Sequence, residues 1–317
     1  MRASIIIVTR DRAGDLKQTL QAMRQVEVAD GLEAELLVVD NGSSDETANV
    51  VESCEVGNIP VRYTLEPRAG QTTGRNHGLA GTTGEMILFI DDDVRPQADW
   101  LFGMCEPMVQ GRADAVCGGV RLAPHRLRPW MTPMHRSWLA STEWLSPGTV
   151  QSMVGANMAF SRKVLHRVPG FDRELGPGAA GFGDDELFAS QLIAAGYKIH
   201  DGMNVWVEHH FAPSRLTRES WLSAARRRGE SLAYIGHHWV HWGCRFGCLK
   251  LLRAEARLAA WRAGNWDKPG DEGCAKAELD LVFQLAMVRG QLKERKRERN
   301  YERHGLVKLR GLHPREF

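Results

Sequence analysis

The chain has 317 residues, 43% of them apolar and 25% charged, which is ordinary for a globular protein and long enough for one large α/β domain or two smaller ones. A formal net charge of only +2 gives no global reason to expect nucleic acid. Six scattered cysteines without CxxC spacing argue against a disulfide framework, no apolar run reaches the ~18 residues of a membrane span, and the opening apolar segment is too short for a signal peptide, so a cytoplasmic enzyme is expected.

Residues 4–9 (Ser-Ile-Ile-Ile-Val-Thr) read as a buried strand, and Leu16, Leu20 and Met23 follow at helical spacing. Residues 35–40 form a second strand, closed by Asn41-Gly42-Ser43-Ser44 as turn and helix cap. Residues 61–65 read as a third strand, and residues 71–82 are compatible with a helix. The apolar run Met86 to Ile90 then ends abruptly on Asp91, Asp92 and Asp93. Three adjacent carboxylates need water or a cation to offset their repulsion; a solvated acidic turn is the plainer alternative.

Strands alternating with helices imply right-handed crossovers, a mostly parallel sheet, and ligands at the carboxyl ends of its strands. That rule gathers Thr9 to Arg12, Asp40 to Ser44 and Asp91 to Asp93 on one edge. There Asp40 suits a base or ribose, Arg12 and Arg75 suit a diphosphate, and the Asp triplet suits a divalent metal bridging the phosphates. Taken singly, the two arginines are as easily surface side chains and Asp40 a helix cap.

Residues 115–120 read as a further strand in which Gly118-Gly119 permits close backbone approach. The connection 124–148 carries Trp130, Met131, Met134, Trp138 and Trp144, which suit a sugar-stacking or lipid-facing loop or, more simply, a satellite core. Residues 154–162 return to strand, and Gly170-Phe171-Asp172 closes that unit. The glycine-rich stretch 176–183 delivers Asp184-Asp185-Glu186 to a helix start, where acids also favour the helix dipole; the apolar face Leu187, Phe188, Leu192 and Ile193 ends at Gly196. His209 and His210 lie within the segment 205–211, after a strand.

From Thr217 the pattern is helical, through Trp221, Leu222, Ala225, Leu232 and Ile235. His237, His241, Cys244 and Cys248 would share one stripe of a straight helix, yet one helix cannot surround a tetrahedral zinc ion, and three nearby glycines argue against straightness. Trp239, Trp242 and Phe246 beside Arg245 and Lys250 suit either a membrane interface or, preferably, helix packing. Residues 289–317 hold ten Lys or Arg against four Glu, a net +6 that would attract anionic lipid or simply be solvated.

Ser4 to Arg12, Glu35 to Asp45, Gly74-Arg75-Asn76-His77-Gly78 and Phe89 to Asp93 together resemble the inverting nucleotide-sugar glycosyltransferases of family two, with the GT-A fold. The resemblance continues through the Asn157 to Arg162 strand and Gly170-Phe171-Asp172. It departs at Asp11, where the family usually has Asn, and at Asp184, where it usually has Glu. It implies a GT-A α/β fold, Rossmann-like, with a mostly parallel central sheet and a helical C-terminal extension. The divisions expected are 1–118 for the nucleotide-sugar half, 119–212 for the acceptor and catalytic-base half, and 213–317 for a helical, basic region.

By the same resemblance Thr9, Arg12 and Asp40 line the nucleoside pocket and Arg75 approaches the diphosphate. Asp91 faces ribose or metal-bound water, Asp93 ligates Mn2+ or Mg2+ directly, and a histidine completes the metal site, with His210 preferred over His209. Asp185 is the general base, with Glu186 in reserve, and Arg226-Arg227-Arg228 can approach the pyrophosphate or remain solvated. The implied reaction transfers a sugar, with inversion, from a nucleoside diphosphate-sugar (UDP first, dTDP next) to a hydroxyl of a glycan, lipid-linked or small-molecule acceptor in cell-surface polysaccharide or glycoconjugate synthesis. A peripheral contact with the inner face of the membrane through the basic C-terminal region is a further expectation. Rival readings are nucleotidyl transfer, a haloacid-dehalogenase-like phosphatase, and a non-catalytic nucleotide-binding scaffold or membrane-surface protein. The first lacks its Gly-rich signature after strand one; the second lacks a nucleophile on strand one.

Overall fold

The computed structural model describes residues 1–145, 152–265 and 270–310. Its sheet contains β1 (Arg2–Thr9), β2 (Glu33–Asp40), β3 (Val61–Leu65), β4 (Met86–Ile90), β5 (Val94–Pro96), β6 (Ala115–Leu122), β7 (Asn157–Ser161) and β8 (Ile199–His209). They lie in the order β3-β2-β1-β4-β7-β6-β8-β5. Pairings β1–β2, β1–β4, β2–β3 and β6–β8 are parallel, whereas β7 runs against both β4 and β6, and β5 runs against β8.

The unbroken apolar runs of β1, β2 and β4 follow from burial on both faces. Ile5, Ile7, Leu36, Val38, Leu88 and Ile90 pack on one side against Leu16, Leu20 and Met23 of α1 (Ala13–Met23) and Val51 of α2 (Thr47–Glu52). Ile6, Leu37, Val39, Ile87 and Phe89 face the other side, with Leu79 of α3 (Gln71–Ala80) and Phe188 and Leu192 of α6 (Asp184–Ala194). The first side also takes Trp100, Leu101 and Met104 of α4 (Trp100–Val109), a helix that no sequence signal above had marked.

Gly118-Gly119 forms an irregularity in the β6–β8 pairing, where the partner jumps from Gly202 to Trp206. A Cβ on Gly119 would lie 2.4 Å from the Met203 carbonyl oxygen, so the bulged strand admits only glycine there. The expected 154–162 strand shortens to 157–161 because Asn157 N–H turns back to the Val154 carbonyl. That turn leaves Gly155 and Ala156 outside the ladder, with the Gly155 N–H directed to Asp185 of α6 and Ala156 in the core on the α1 side.

The connection after β6 carries α5 (Pro133–Trp138), and its aromatics fill a satellite core. Trp130, His135 and Trp138 surround Trp221, while Trp144 stands apart at 55% exposure. Residues 146–148 of the connection lie outside the described residues. The helical C-terminal region comprises α7 (Arg218–Ile235), α8 (Gly247–Ala263) and α9 (Lys276–Glu294), with a π-helical turn at Gly236–Val240. No described helix is long and apolar enough to cross a membrane.

The zinc stripe does not form. His237 Nε2 lies 3.1 Å from the Arg297 carbonyl and His241 Nε2 3.1 Å from the Tyr301 carbonyl, and the left-handed backbone of His241 (φ 67°) ends the helix between them and the cysteines.

The last described segment folds back as a latch. Lys308 Nζ is buried 2.5 Å from Asp172 Oδ1 and 2.7 Å from Glu174 Oε2; Tyr234 and Tyr301 donate to Asp172, Asn300 to Glu174, and Arg297 pairs with Glu174. Arg289 and Arg310 of the basic tail also spend their charge internally, on Glu255 and Glu298.

Candidate active site

Thr9, Asp40 and Asp91 stand at or just beyond the carboxyl ends of β1, β2 and β4, and the registers Thr9↔Asp40 and Ile7↔Ile90 align those ends. Arg12 spans the Asp triplet from the following turn, with Nη1 2.7 Å from Asp92 Oδ1 and Nη2 2.6 Å from Asp93 Oδ2. Thr9 turns inward and donates to Asp92 Oδ2 at 2.7 Å, so its hydroxyl serves the carboxylate cluster. Asp40 accepts from the Ser43 N–H at 2.7 Å and the Tyr63 hydroxyl at 2.8 Å, which fixes its carboxylate at the strand end.

The carboxylates titrate unequally. Burial pushes Asp92 up to about 7 against the pull of Arg12. Asp93 is buried as well, but the imidazole of His209 and the guanidinium of Arg12 outweigh burial and hold it far below the usual range. Burial, then the charge of Asp93, raises Asp91, whose carboxylate is the partly exposed one of the three.

The structure places His209, not His210, at Asp93. His209 is the last residue of β8, and its Nε2 lies 3.2 Å from Asp93 Oδ1. Strand alternation turns His210 away: its ring sits 2.7 Å from Glu208 Oε1 and against the ring of His125. Of the two histidines it is thus His209, and not the expected His210, that neighbours Asp93; sequence spacing had no means of fixing the strand's phase at its end.

The pair suits a cation. His209 Nδ1 is 2.8 Å from the Leu139 carbonyl, an obligatory acceptor, so Nδ1 carries a proton and Nε2 is the ring nitrogen turned toward the carboxylate of Asp93. Asp93 Oδ1 is buried without a hydrogen-bond partner among the described residues. Ligand atoms at adjacent octahedral positions about 2.1 Å from Mg2+ lie about 3 Å apart, close to the separation found here. Among the described residues no three His, Cys, Asp or Glu side chains close into a complete cage, so the chain's donors amount to part of a coordination shell. Mg2+ characteristically binds through one or two carboxylates together with substrate phosphates.

The acid loop neighbours this cluster through Arg75. Arg75 projects from α3, pairs with Asp184 through Nη1, reaches to 3.9 Å from Asp91, and lies against the rings of Phe89 and Phe171, which contact each other. A Cβ at Gly155 would fall 2.0 Å from Arg75 Nη2, so the missing side chain there is what admits the guanidinium. Asp185 is oriented from both sides: Gly155 N–H donates to Oδ2 and Glu186 N–H to Oδ1, each at 2.9 Å. Burial raises Asp184 to about 6 against the pull of Arg75, and raises Glu186, with Asp185 adding to it.

Two further cations lie near the site, of which Arg215 was not marked in the sequence and Arg228 was marked only as part of the triplet 226–228. Arg215, on the turn after β8, is held through Nη2 at 3.2 Å from the Trp138 carbonyl; burial lowers its pKa while Asp93 and Asp91 oppose that. Arg228 lies over the rings of Phe182 and Trp138 at 4.2 and 5.2 Å, and its buried Nε has no hydrogen-bond partner among the described residues. Arg226 and Arg227 are exposed. The Arg triplet thus splits by helical phase, a signal present in the sequence; nothing in its pattern marked Arg215.

The sequence pattern described as Glycosyl transferase family 2 matches residues 4–168, just over half of the 317-residue chain. The chain belongs to glycosyl transferase family 2. This glycosyltransferase is 26% identical over 225 residues to the succinoglycan biosynthesis protein ExoM of Rhizobium meliloti, covering 68% of the chain and 69% of that protein. It is 28% identical over 167 residues to the glucosyl-dolichyl phosphate glucuronosyltransferase of Haloferax volcanii, covering 51% of the chain and half of that relative (50%). Among solved structures it is similar to the mannosyltransferase PcManGT from Pyrobaculum calidifontis, in complex with GDP-Man and Mn2+, with a TM-score of 0.59 at 18% identity over 92% of this chain and 86% of that one. S. aureus TarS 1-349 in complex with UDP aligns with a TM-score of 0.53 at 15% identity over 93% and 92%. At such identities the two structures speak to fold alone, and the fold is GT-A: a mixed, mostly parallel curled sheet flanked by helices, followed here by a helical region.

Proposed function

We propose that this glycosyltransferase transfers a sugar from a nucleoside diphosphate-sugar to an acceptor hydroxyl by a single inverting displacement, with Asp185 as general base. The observation that carries the reading is the posture of Asp185. Two backbone N–H groups, of Gly155 and Glu186, orient its carboxylate, and Gly155 lies against Arg75, whose Nη2 also approaches Asp91. Two donors leave lone pairs on an ionised carboxylate for the proton of an attacking hydroxyl. No candidate for a covalent nucleophile is needed, because inversion takes one step.

As the bond to the sugar breaks, the departing nucleoside diphosphate gains one negative charge on its terminal phosphate, and buried cations answer it without reorganising. Arg75 is fixed by Asp184 and two aromatic rings; Arg12, Arg215 and Arg228 border the same edge. Asp93, Asp91 and His209 would hold Mn2+ or Mg2+. Such an ion would supply positive charge to offset the negative charge developing on the leaving phosphate. Asp40 at the end of β2 is assigned to the nucleoside, with Thr9 supporting the cluster through Asp92. UDP is the first donor nucleotide and dTDP the next. Similar structures are complexes with GDP-Man and Mn2+ and with UDP, which supports a nucleotide-sugar donor and a divalent metal.

A glycan or lipid-linked acceptor is the class we assign. Relatives named for succinoglycan biosynthesis and for a dolichyl phosphate substrate support it, as does a 94-residue likeness at 30% identity, 29% of each chain, to a Campylobacter jejuni enzyme named for an undecaprenol-linked glycan. The test begins with thermal unfolding in UDP, dTDP, GDP and CDP, each with and without Mn2+ or Mg2+. A nucleotide at 100 times its Kd stabilises the fold by about 2.7 kcal/mol. Asp93→Ala should abolish the metal-dependent part of that shift. With the selected donor, Asp185→Asn should collapse turnover by roughly 10²-fold or more while nucleotide binding survives; retained turnover would reject Asp185 as the base.

A further inference from the structure

Between the π-helical turn and α8 the chain presents large apolar side chains to solvent. Phe246 is 77% exposed, Leu252 63%, Leu249 47% and Trp242 40%. Within α8, Leu258 is buried and Leu251 and Ala254 pack with the satellite core shared with α9, so the face toward the protein is already supplied with apolar contacts. Phe246, Leu249 and Leu252 recur at a spacing of three and form a second, outward stripe. A globular surface far from any contact has no use for a helix apolar on two faces.

The backbone supports the same outward placement. His241 (φ 67°) and Phe246 (φ 54°) both adopt left-handed conformations, which non-glycine residues avoid unless the surroundings impose them. They bracket Trp242 to Arg245, and the second of them forms the start of α8.

Charge selects the occupant. Arg245, Lys250 and Arg253 are exposed around the stripe, and none has an ion pair among the described residues. From Trp242 to Ala263 the sole acidic residue is Glu255, and it is engaged by Arg289 of α9. An apolar ridge with an unopposed cationic rim matches a surface that is apolar beneath and anionic above, the interface of a bilayer containing acidic phospholipid. A second copy of the same ridge would bring like charges together, which disfavours self-association through it.

We infer that the segment Trp242 to Arg253 is a peripheral membrane contact, seating Phe246, Leu249 and Leu252 among acyl chains with Arg245, Lys250 and Arg253 at anionic headgroups. This contact is separate from the basic tail, where Arg289, Arg297, Lys308 and Arg310 face carboxylates of the chain itself. It also stands independently of the identity of donor and acceptor.

The experiment is co-sedimentation of the full chain with vesicles of phosphatidylcholine alone and with roughly one third phosphatidylglycerol, paired with sedimentation velocity without lipid. Expected is a monomer whose binding to the anionic vesicles exceeds that to neutral ones by at least tenfold. Phe246→Glu/Leu249→Glu should abolish binding. Lys250→Glu/Arg253→Glu should weaken it by at least about 25-fold, since each well-placed cation contributes about fivefold. All four side chains are exposed, so the parent unfolding temperature should persist in both variants and certify their fold. Equal affinity for the two vesicle types, binding that survives both variants, or a parent dimer dissolved by Phe246→Glu/Leu249→Glu would each overturn the assignment.

Discussion

Replacement of Gly155 by alanine tests how closely the acid loop and the donor edge are fitted. The new methyl would start 2.0 Å from Arg75 Nη2, 2.8 Å from Cζ and 3.0 Å from Nη1. Carbon contacts settle at about 3.5–4.0 Å, so one partner must yield by about 1.5 Å. Arg75 has little room to retreat, because Asp184 grips its Nη1 and Phe89 and Phe171 flank its guanidinium at 5.9 and 5.5 Å. The strand-side turn must move instead, carrying with it the Gly155 N–H that orients Asp185. Overpacking of this kind costs about 1–3 kcal/mol of stability, and misplacing a reacting group by about 1 Å costs about 10²-fold in rate. Unfolding temperature and kcat/KM with the donor chosen by the nucleotide screen should therefore both fall. Gly14→Ala is the control, since nothing lies within 4 Å of its added carbon. A Gly155→Ala enzyme within threefold of parent turnover at an unchanged unfolding temperature would refute the fit.

Lys308→Met should destabilise the fold by about 3–5 kcal/mol, because it strands the buried carboxylates of Asp172 and Glu174; urea unfolding measures it, and Lys308→Met/Asp172→Asn should recover part of the loss. Glu174 is held at about 2 instead of its ordinary 4.5, with Lys308 and Arg297 overcoming burial. Its folded pKa is the depressed one, so it stabilises above about pH 4.5 and loses a contribution of about 3 kcal/mol as the pH falls toward about 2. Unfolding curves across that window should be steeper for the parent than for Glu174→Gln. Mn2+-dependent thermal stabilisation by nucleotide should vanish in His209→Ala and persist in His210→Ala; the opposite pattern would return the metal site to His210.

The donor half was legible because its signals are local. Runs such as Ile5-Ile6-Ile7 announce strands buried on both faces, and polar residues at their ends must then meet on one edge. What stayed hidden depends on contacts distant in sequence. The reversed direction of β7 follows from the neighbours it finds in β4 and β6, and the three residues of β5 are too few to carry a period. The choice between His209 and His210 turns on where β8 stops, a matter of one residue. Arg215 is a site residue only because Trp138, on a connection far upstream, holds it. The tail looked like free positive charge, yet the acids that bind Arg297 and Lys308 lie more than a hundred residues earlier.

The latch also sets an order of assembly. Lys308 is made 136 residues after the Asp172 it neutralises. At about 5–20 residues per second, translation separates the two by about 7–27 seconds. The parallel strands that carry Thr9, Asp40 and Asp91 are all available throughout that interval. The segment holding Asp172 and Glu174 gains its Lys308 counter-ion only afterwards, so the strand ends can be in place before the latch closes.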